Sequence, residues 1–255
     1  MADRPADELV HIEREGGVML IEMRRERQRN AVDRALADAL SAAFDELDDD
    51  SSLRVGILAG AGPVFSAGTD LREGRSPATD RGGEYGLVRR ARRTPVVAAV
   101  EGPALGGGFE LVLSCDLVVA GRGASFGLPE VKRGLVAACG GLFRAPHALP
   151  PTLAAEMVLT GEPVTAERAY AAGLVNVLAE PGEAVARARE LAARIVQNSP
   201  DAVSASLRAL HDAQAAYTAT GWTATDLAIG RIALSPDRAE GVAAFLEKRP
   251  PSWTQ

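Results

Sequence analysis

Three glycine-marked stretches and two glutamates are the places in this sequence where chemistry could be done. Phe65-Ser-Ala-Gly-Thr-Asp-Leu71 is the first stretch, Gly102-Pro-Ala-Leu-Gly-Gly-Gly-Phe-Glu110 the second and Phe126-Gly-Leu-Pro-Glu-Val131 the third. Gly106, Gly107 and Gly108 carry no side chains, so the backbone there can approach a ligand closely. If a helix opens at that point, as Phe109, Val112 and Leu113 indicate, its free N–H groups and the positive end of its dipole face the ligand. That arrangement suits an anion or a developing oxyanion. Glu110 lies one turn in, where its carboxylate can reach the same pocket. Each feature alone also has a plain structural meaning. Triple glycine permits tight strand–helix packing, and Pro129-Glu130 is ordinary chemistry at a helix start.

The elements that must position these residues are legible from hydrophobic periodicity. Residues 9 to 23 read as a hairpin turning at Gly16-Gly17, followed by a basic segment from Arg24 to Arg29. Val32, Leu36, Leu40, Phe44 and Leu47 recur at helical spacing before the acidic run Asp48 to Asp50. Residues 54–60, 96–100 and 117–121 are short apolar strands, and each precedes one of the three stretches. Short apolar strands alternating with helices predict an α/β fold with a parallel sheet. From about Glu183 the pattern is helical throughout: Val185, Leu191, Ile195 and Val196 mark one helix, and Val203, Leu207 and Leu210 a second. Further helices follow as far as Phe245.

Composition narrows the function classes. The 255 residues are 47% hydrophobic but only 4% aromatic, so the core must be built from small aliphatic side chains. A formal charge of −6 with no long basic tract argues against nucleic acid or anionic membranes as partners. The longest apolar runs are too short to span a bilayer, and the polar N-terminus has no secretory signal, which together predict a cytoplasmic protein. Cys115 and Cys139 make no disulfide framework, and His11, His147 and His211 are too scattered for a metal site. Gly123-Ala-Ser-Phe-Gly127 matches the G-x-S-x-G pattern of a nucleophile elbow. However, Leu128-Pro129 follows where the elbow helix would begin. Phosphate-loop and dinucleotide-binding glycine motifs do not occur.

Taken in order, the pieces resemble one family. The stretch at 65–71, Gly102-x-x-x-Gly-Gly-Gly-x-Glu110, Cys115-Asp116, Pro129-Glu130 and Gly140-Gly141 look like the crotonase superfamily, and in particular its enoyl-CoA hydratases. Asn30-Ala31, Leu159-Thr-Gly161 with Ala166-Glu167, Ala172-Gly-Leu-Val-Asn176 and Phe245-Leu-Glu-Lys-Arg249 extend the resemblance over nearly the whole chain. It implies a crotonase (ClpP-like) spiral of ββα units over residues 1–195. Residues 196–255 would then be a helical region assembling a homotrimer or a dimer of trimers. It also implies reversible addition of water to the 2,3-double bond of a 2-enoyl-CoA thioester. Coenzyme A would be part of that substrate, with no separate cofactor and no metal.

Carried over residue by residue, the resemblance gives the N–H groups of Thr69 and Gly107 to an oxyanion hole for the thioester carbonyl. Glu130 would handle the α-carbon proton, while Glu110 holds and deprotonates the water. Retention of both glutamates favours hydratase or dehydratase chemistry. Arg29 and Ala31 match positions that contact the phosphate and adenine parts of coenzyme A. Ala67, Asp70 and Leu71 match backbone contacts to adenine and pantetheine, and Gly106 belongs to the same ligand-binding set. Lys248 and Arg249 resemble a C-terminal basic site. The chain departs from typical hydratases at Ala137 and Ala138, where a proline and a glycine are usual, and Cys139 beside them reads as a small buried hydrophobe. This segment and Leu149-Pro-Pro-x-x-Ala-x-Glu-Met157 resemble carnitinyl-CoA dehydratase. A crotonase-fold isomerase, a carnitinyl-CoA-type dehydratase and a non-catalytic acyl-CoA-binding protein are the alternatives.

Overall fold

The computed structural model describes residues 9–73 and 76–254. Strands β1 (Val10–Glu15) and β2 (Val18–Met23) form the antiparallel hairpin, with Glu15 opposite Val18 across Gly16-Gly17. Helix α1 (Arg34–Asp49) follows, and its buried face carries Leu36, Leu40, Phe44 and Leu47. Asp33 caps it, with Oδ1 accepting from Leu36 N at 2.9 Å, which satisfies one of the N–H groups left free at a helix start. Strand β3 is Val55–Gly60. The short hairpin β4 (Ala78–Thr79) and β5 (Gly83–Glu84) precedes β6 (Val96–Val100). Then come β7 (Pro103–Leu105), helix α2 (Gly107–Val112), β8 (Leu117–Gly121) and β9 (Ser125–Gly127). Helices α3 (Gly141–Ala148) and α4 (Pro151–Thr160) lead to β10 (Val164–Thr165), α5 (Ala166–Ala171) and β11 (Val177–Ala179). The chain closes with α6 (Ala184–Val196), α7 (Pro200–Ala213), α8 (Ala215–Ala233) and α9 (Pro236–Glu247).

The main sheet has the order β1-β2-β3-β6-β8-β11 and is parallel from β2 onward. Strands β3 and β6 are continuous apolar runs because both faces are covered. On one face, Leu58, Ala98, Val100 and Val118 join the α1 side chains in the larger core. On the other, Ile57, Val97, Ala99 and Val119 meet Ala184, Ala188 and Ala192 of α6. Alanine at every fourth position gives that helix a flat stripe against the sheet. A second, three-stranded sheet, β10-β9-β7, turns away at the ends of β6 and β8. Periodicity does not reveal it, because strands of two or three residues are too short to show a repeat. Ser125 lies in this sheet, in strand β9, so the strand–turn–helix setting of a nucleophile elbow is missing. Among the described residues, no helix is long and apolar enough to cross a membrane. Nor does any group of three or more His, Cys, Asp or Glu there have the arrangement to hold a metal ion.

Candidate active site

The three glycine-marked stretches meet above the ends of β3, β6 and β8. An isolated parallel bridge joins Ser66 to Ala104, and a second joins Val32 to Thr69. Pairing of β7 with β9 sets Leu105 beside Gly127, and Gly106 N donates to Gly127 O at 2.8 Å. These contacts press Gly68 against Gly107. A Cβ on Gly68 would stand 2.6 Å from Gly107 N, and Gly68 has a φ of +87°. No other residue type fits there without moving the segment. Thr69 N–H and Gly107 N–H, brought together in this way, have no acceptor among the described residues. Gly107 is the first residue of α2, so its free N–H is a consequence of helix geometry.

Glu110 sits on α2 and is 2% exposed. Its Oε1 accepts from Cys139 N at 2.7 Å and from Gly141 N at 2.8 Å. Burial pushes its pKa up to about 7, although these two N–H groups and the nearby Arg144 guanidinium favour the ionised form. Arg144 is itself held in place by bonds to Ser114 Oγ at 2.8 Å and Val88 O at 2.7 Å. Glu130 lies in a 3-10 turn, Pro129–Arg133, rather than at the start of an α-helix. Its Oε2 is buried with no hydrogen-bond partner among the described residues. Burial, with the negative charge of Glu110 added to it, raises Glu130 to about 8. The approach of this carboxyl explains Gly106: a Cβ there would stand 3.0 Å from Glu130 Oε1. Glu110 Oε1 is thus held by two backbone donors, whereas Glu130 Oε2 has no partner among the described residues. Because each carboxyl feels the other's charge, they titrate as a pair.

The segments that resemble coenzyme A-binding positions also run together. Ala67 N donates to Arg29 O at 3.0 Å, and Asp70 N donates to Val32 O at 3.0 Å, so residues 29–32 lie alongside 67–70. Arg29 and Ala67 are exposed, while Ala31 and Leu71 are half-buried. The Asp70 carboxylate is engaged internally: Arg72 donates to it at 2.9 and 2.6 Å, and buried Arg25 lies 3.4 Å away. Arg72 is the main reason that Asp70 is held below the ordinary carboxylate range. Arg25 also pairs with Asp33 at 2.6 Å, which locks this loop to the start of α1.

Three contributors to the site lie outside the sequence expectations. Arg144, near the Glu110 carboxylate, is the first. Cys139 is buried as expected, but its peptide N–H holds Glu110. Ala137 and Ala138 therefore do not prevent this segment from gripping the carboxylate. Tyr85 is the third, 1% exposed, with its hydroxyl 2.7 Å from Thr69 Oγ1. A tyrosine flanked by Gly82-Gly83 and Gly86, in a chain that is 4% aromatic, was the faint signal available.

Comparison with known proteins places the chain in a family. The sequence pattern of the enoyl-CoA hydratase/isomerase family matches residues 13–255. A carnitinyl-CoA dehydratase of Salmonella arizonae is 40% identical over 257 residues, which cover 96% of this chain and 98% of that one. A solved carnitinyl-CoA hydratase from Mycobacterium avium superposes with a TM-score of 0.90 at 41% identity, covering 97% of this chain and 98% of its own. An enoyl-CoA hydratase from Mycobacterium tuberculosis is 42% identical with a TM-score of 0.79, covering 97% of this chain and 99% of its own. By sequence over nearly its whole length and by fold, this chain belongs to the enoyl-CoA hydratase/isomerase family of the crotonase superfamily.

Proposed function

We propose that the protein catalyses reversible addition of water to the 2,3-double bond of a 2-enoyl-CoA thioester. The observation that carries this reading is the pair of buried carboxyls with unlike partners, beside two N–H groups without an acceptor among the described residues. The thioester oxygen is bound by Thr69 N–H and Gly107 N–H. As water adds at the β-carbon, charge moves onto that oxygen, and these fixed donors stabilise the enolate. Ionised Glu110, steadied by Cys139 N and Gly141 N, takes a proton from the water. Protonated Glu130 delivers its proton to the α-carbon, and the reverse sequence eliminates water. Coenzyme A runs along residues 29–32 and 67–71 and enters as part of the substrate.

Dehydration of a carnitinyl-type, β-hydroxylated thioester is the favoured form of this chemistry, because similarity to proteins named carnitinyl-CoA dehydratase and hydratase reaches about 40% over nearly the full length. The exposed apolar residues of the C-terminal helices support a further part of the reading, assembly into a trimer or a dimer of trimers.

A panel of 2-enoyl- and 3-hydroxyacyl-CoA thioesters, followed through the absorbance of the conjugated double bond, tests the activity. Glu130→Gln is expected to lower kcat by at least about 10²-fold while leaving thioester affinity in place, since amide and carboxyl have the same shape. Binding of acyl-CoA without turnover of any member of the panel would make the protein a carrier and sink this reading. Conversion of a 3-enoyl to a 2-enoyl thioester without uptake of solvent oxygen would make it an isomerase.

A further inference from the structure

The Tyr85 hydroxyl touches both halves of the site. It lies 2.7 Å from Thr69 Oγ1 and 3.2 Å from Ser76 Oγ, and it accepts from the Cys139 thiol at 3.3 Å. A Cβ on Gly107 would stand 2.2 Å from the hydroxyl oxygen, so the phenol is packed directly on the backbone that carries one of the two free N–H groups. Cys139 in turn holds Glu110 Oε1 through its peptide N–H. The backbone at Tyr85 is also unusual. Its φ is +57°, a left-handed conformation that a bulky residue adopts only where the surroundings over-determine it.

We propose that Tyr85 is a positioning residue, whose hydroxyl ties the segments carrying Thr69 and Gly107 to the segment that orients Glu110. Resting on the hydration chemistry proposed above, this assigns the hydroxyl a task distinct from binding substrate. It keeps the oxyanion donors and the base in one register. Burial, with Cys139 and Glu110 nearby, holds the phenol well above its ordinary pKa. It therefore stays neutral, with one hydrogen to donate to Thr69 or Ser76 and lone pairs to accept from Cys139.

Tyr85→Phe removes the hydroxyl and keeps the ring. It is expected to lower kcat by tenfold or more, toward about 10²-fold, with little change in KM, as misplacement of reacting groups does. Cys139→Ala should reproduce part of that loss, and Cys139→Ser, which retains a donor, should restore most of it. A second readout needs no substrate: titration of Glu110 by carbon NMR of glutamate-labelled protein, with Glu110→Gln as the assignment control. Glu110 faces Glu130, Arg144, Cys139 and Tyr85, and only the last is altered in Tyr85→Phe. A Glu110 titration displaced from the wild type supports the proposal. An unchanged titration together with wild-type kcat, or a loss confined to thermal stability, overturns it. Should the wild type turn over no thioester, the proposed reaction fails, while the NMR comparison still decides whether Tyr85 positions Glu110. Should Tyr85→Phe fail to fold, the same titration in Cys139→Ala decides it.

Discussion

A carboxyl group keeps its proton when ionisation would leave its charge without solvent or partner, and Glu130 Oε2 is in that situation. Glu110 is buried more deeply but faces two backbone donors and lies near Arg144, all of which favour its ionised form. As pH falls through about 7 the pair takes up its second proton and loses its base; as pH rises through about 8 it gives up the remaining proton and loses its acid. We therefore expect kcat/KM to follow a narrow bell with its maximum between these limits, the two apparent values belonging to the pair. Rates measured from pH 5 to pH 10 check this, and a plateau extending to pH 5 would contradict it. Gly107 supports a second expectation. Because a Cβ there would strike the Tyr85 hydroxyl at 2.2 Å, Gly107→Ala must shift either the buried Tyr85 ring or the α2 start with its free N–H, and we expect the α2 start to move. Loss of one such donor lowers kcat by about 10²- to 10³-fold, so steady-state kinetics should show a fall of that order.

At the scale of elements, both carboxyls of the candidate site sit on something very short that follows a strand. Helix α2 has six residues and the Glu130 turn five, so neither would be stable alone. They are held by the second sheet below and by helices α3 and α9 beside them. The start of α1 shows how a loop is fixed in the same way. Asp33 both caps the helix and pairs with buried Arg25, which also reaches Asp70. Asp33→Ala is expected to lower stability by about 1–2 kcal/mol, the upper end of the range for a lost N-cap. Urea denaturation of both proteins at one fixed concentration measures this. No change in the midpoint would mean that Arg25 and water fully replace the cap.

At the scale of the molecule, the C-terminal helices are joined to the site region as well as to one another. Tyr217 of α8 donates to Phe143 O at 2.7 Å, and the Trp222 ring packs on Phe143 with centroids 5.0 Å apart. Arg133, just beyond Glu130, stacks over Phe245 of α9. Yet these helices leave Leu210, Leu227 and Leu234 at 62%, 62% and 89% exposure. Exposed leucines on these helices are where the assembly proposed above would find its contacts. The proposed trimer predicts a sedimenting species of three chains or six. The double substitution Leu210→Glu with Leu227→Glu should shift it toward monomers. A wild-type protein that sediments as a monomer at micromolar concentration would refute the assembly.

What the sequence determined by itself is whatever depends on neighbours along the chain. The repeat of Leu36, Leu40, Phe44 and Leu47 marked α1, and the apolar runs marked β3, β6 and β8. The order of the glycine-marked stretches marked the family, and with it Glu110, Glu130, Thr69 and Gly107 as the residues to watch. The β7-β9-β10 sheet escaped because its strands are shorter than any detectable period. Only the tertiary structure decided that Glu110 is gripped by two N–H groups while Glu130 Oε2 has none. Only it brought Tyr85 and Cys139 to the same place. The reason is physical: desolvation, pairing and proton affinity belong to groups that meet in space. Here those groups come from segments around residues 69, 85, 110, 130 and 140, and no local pattern in the chain records their meeting.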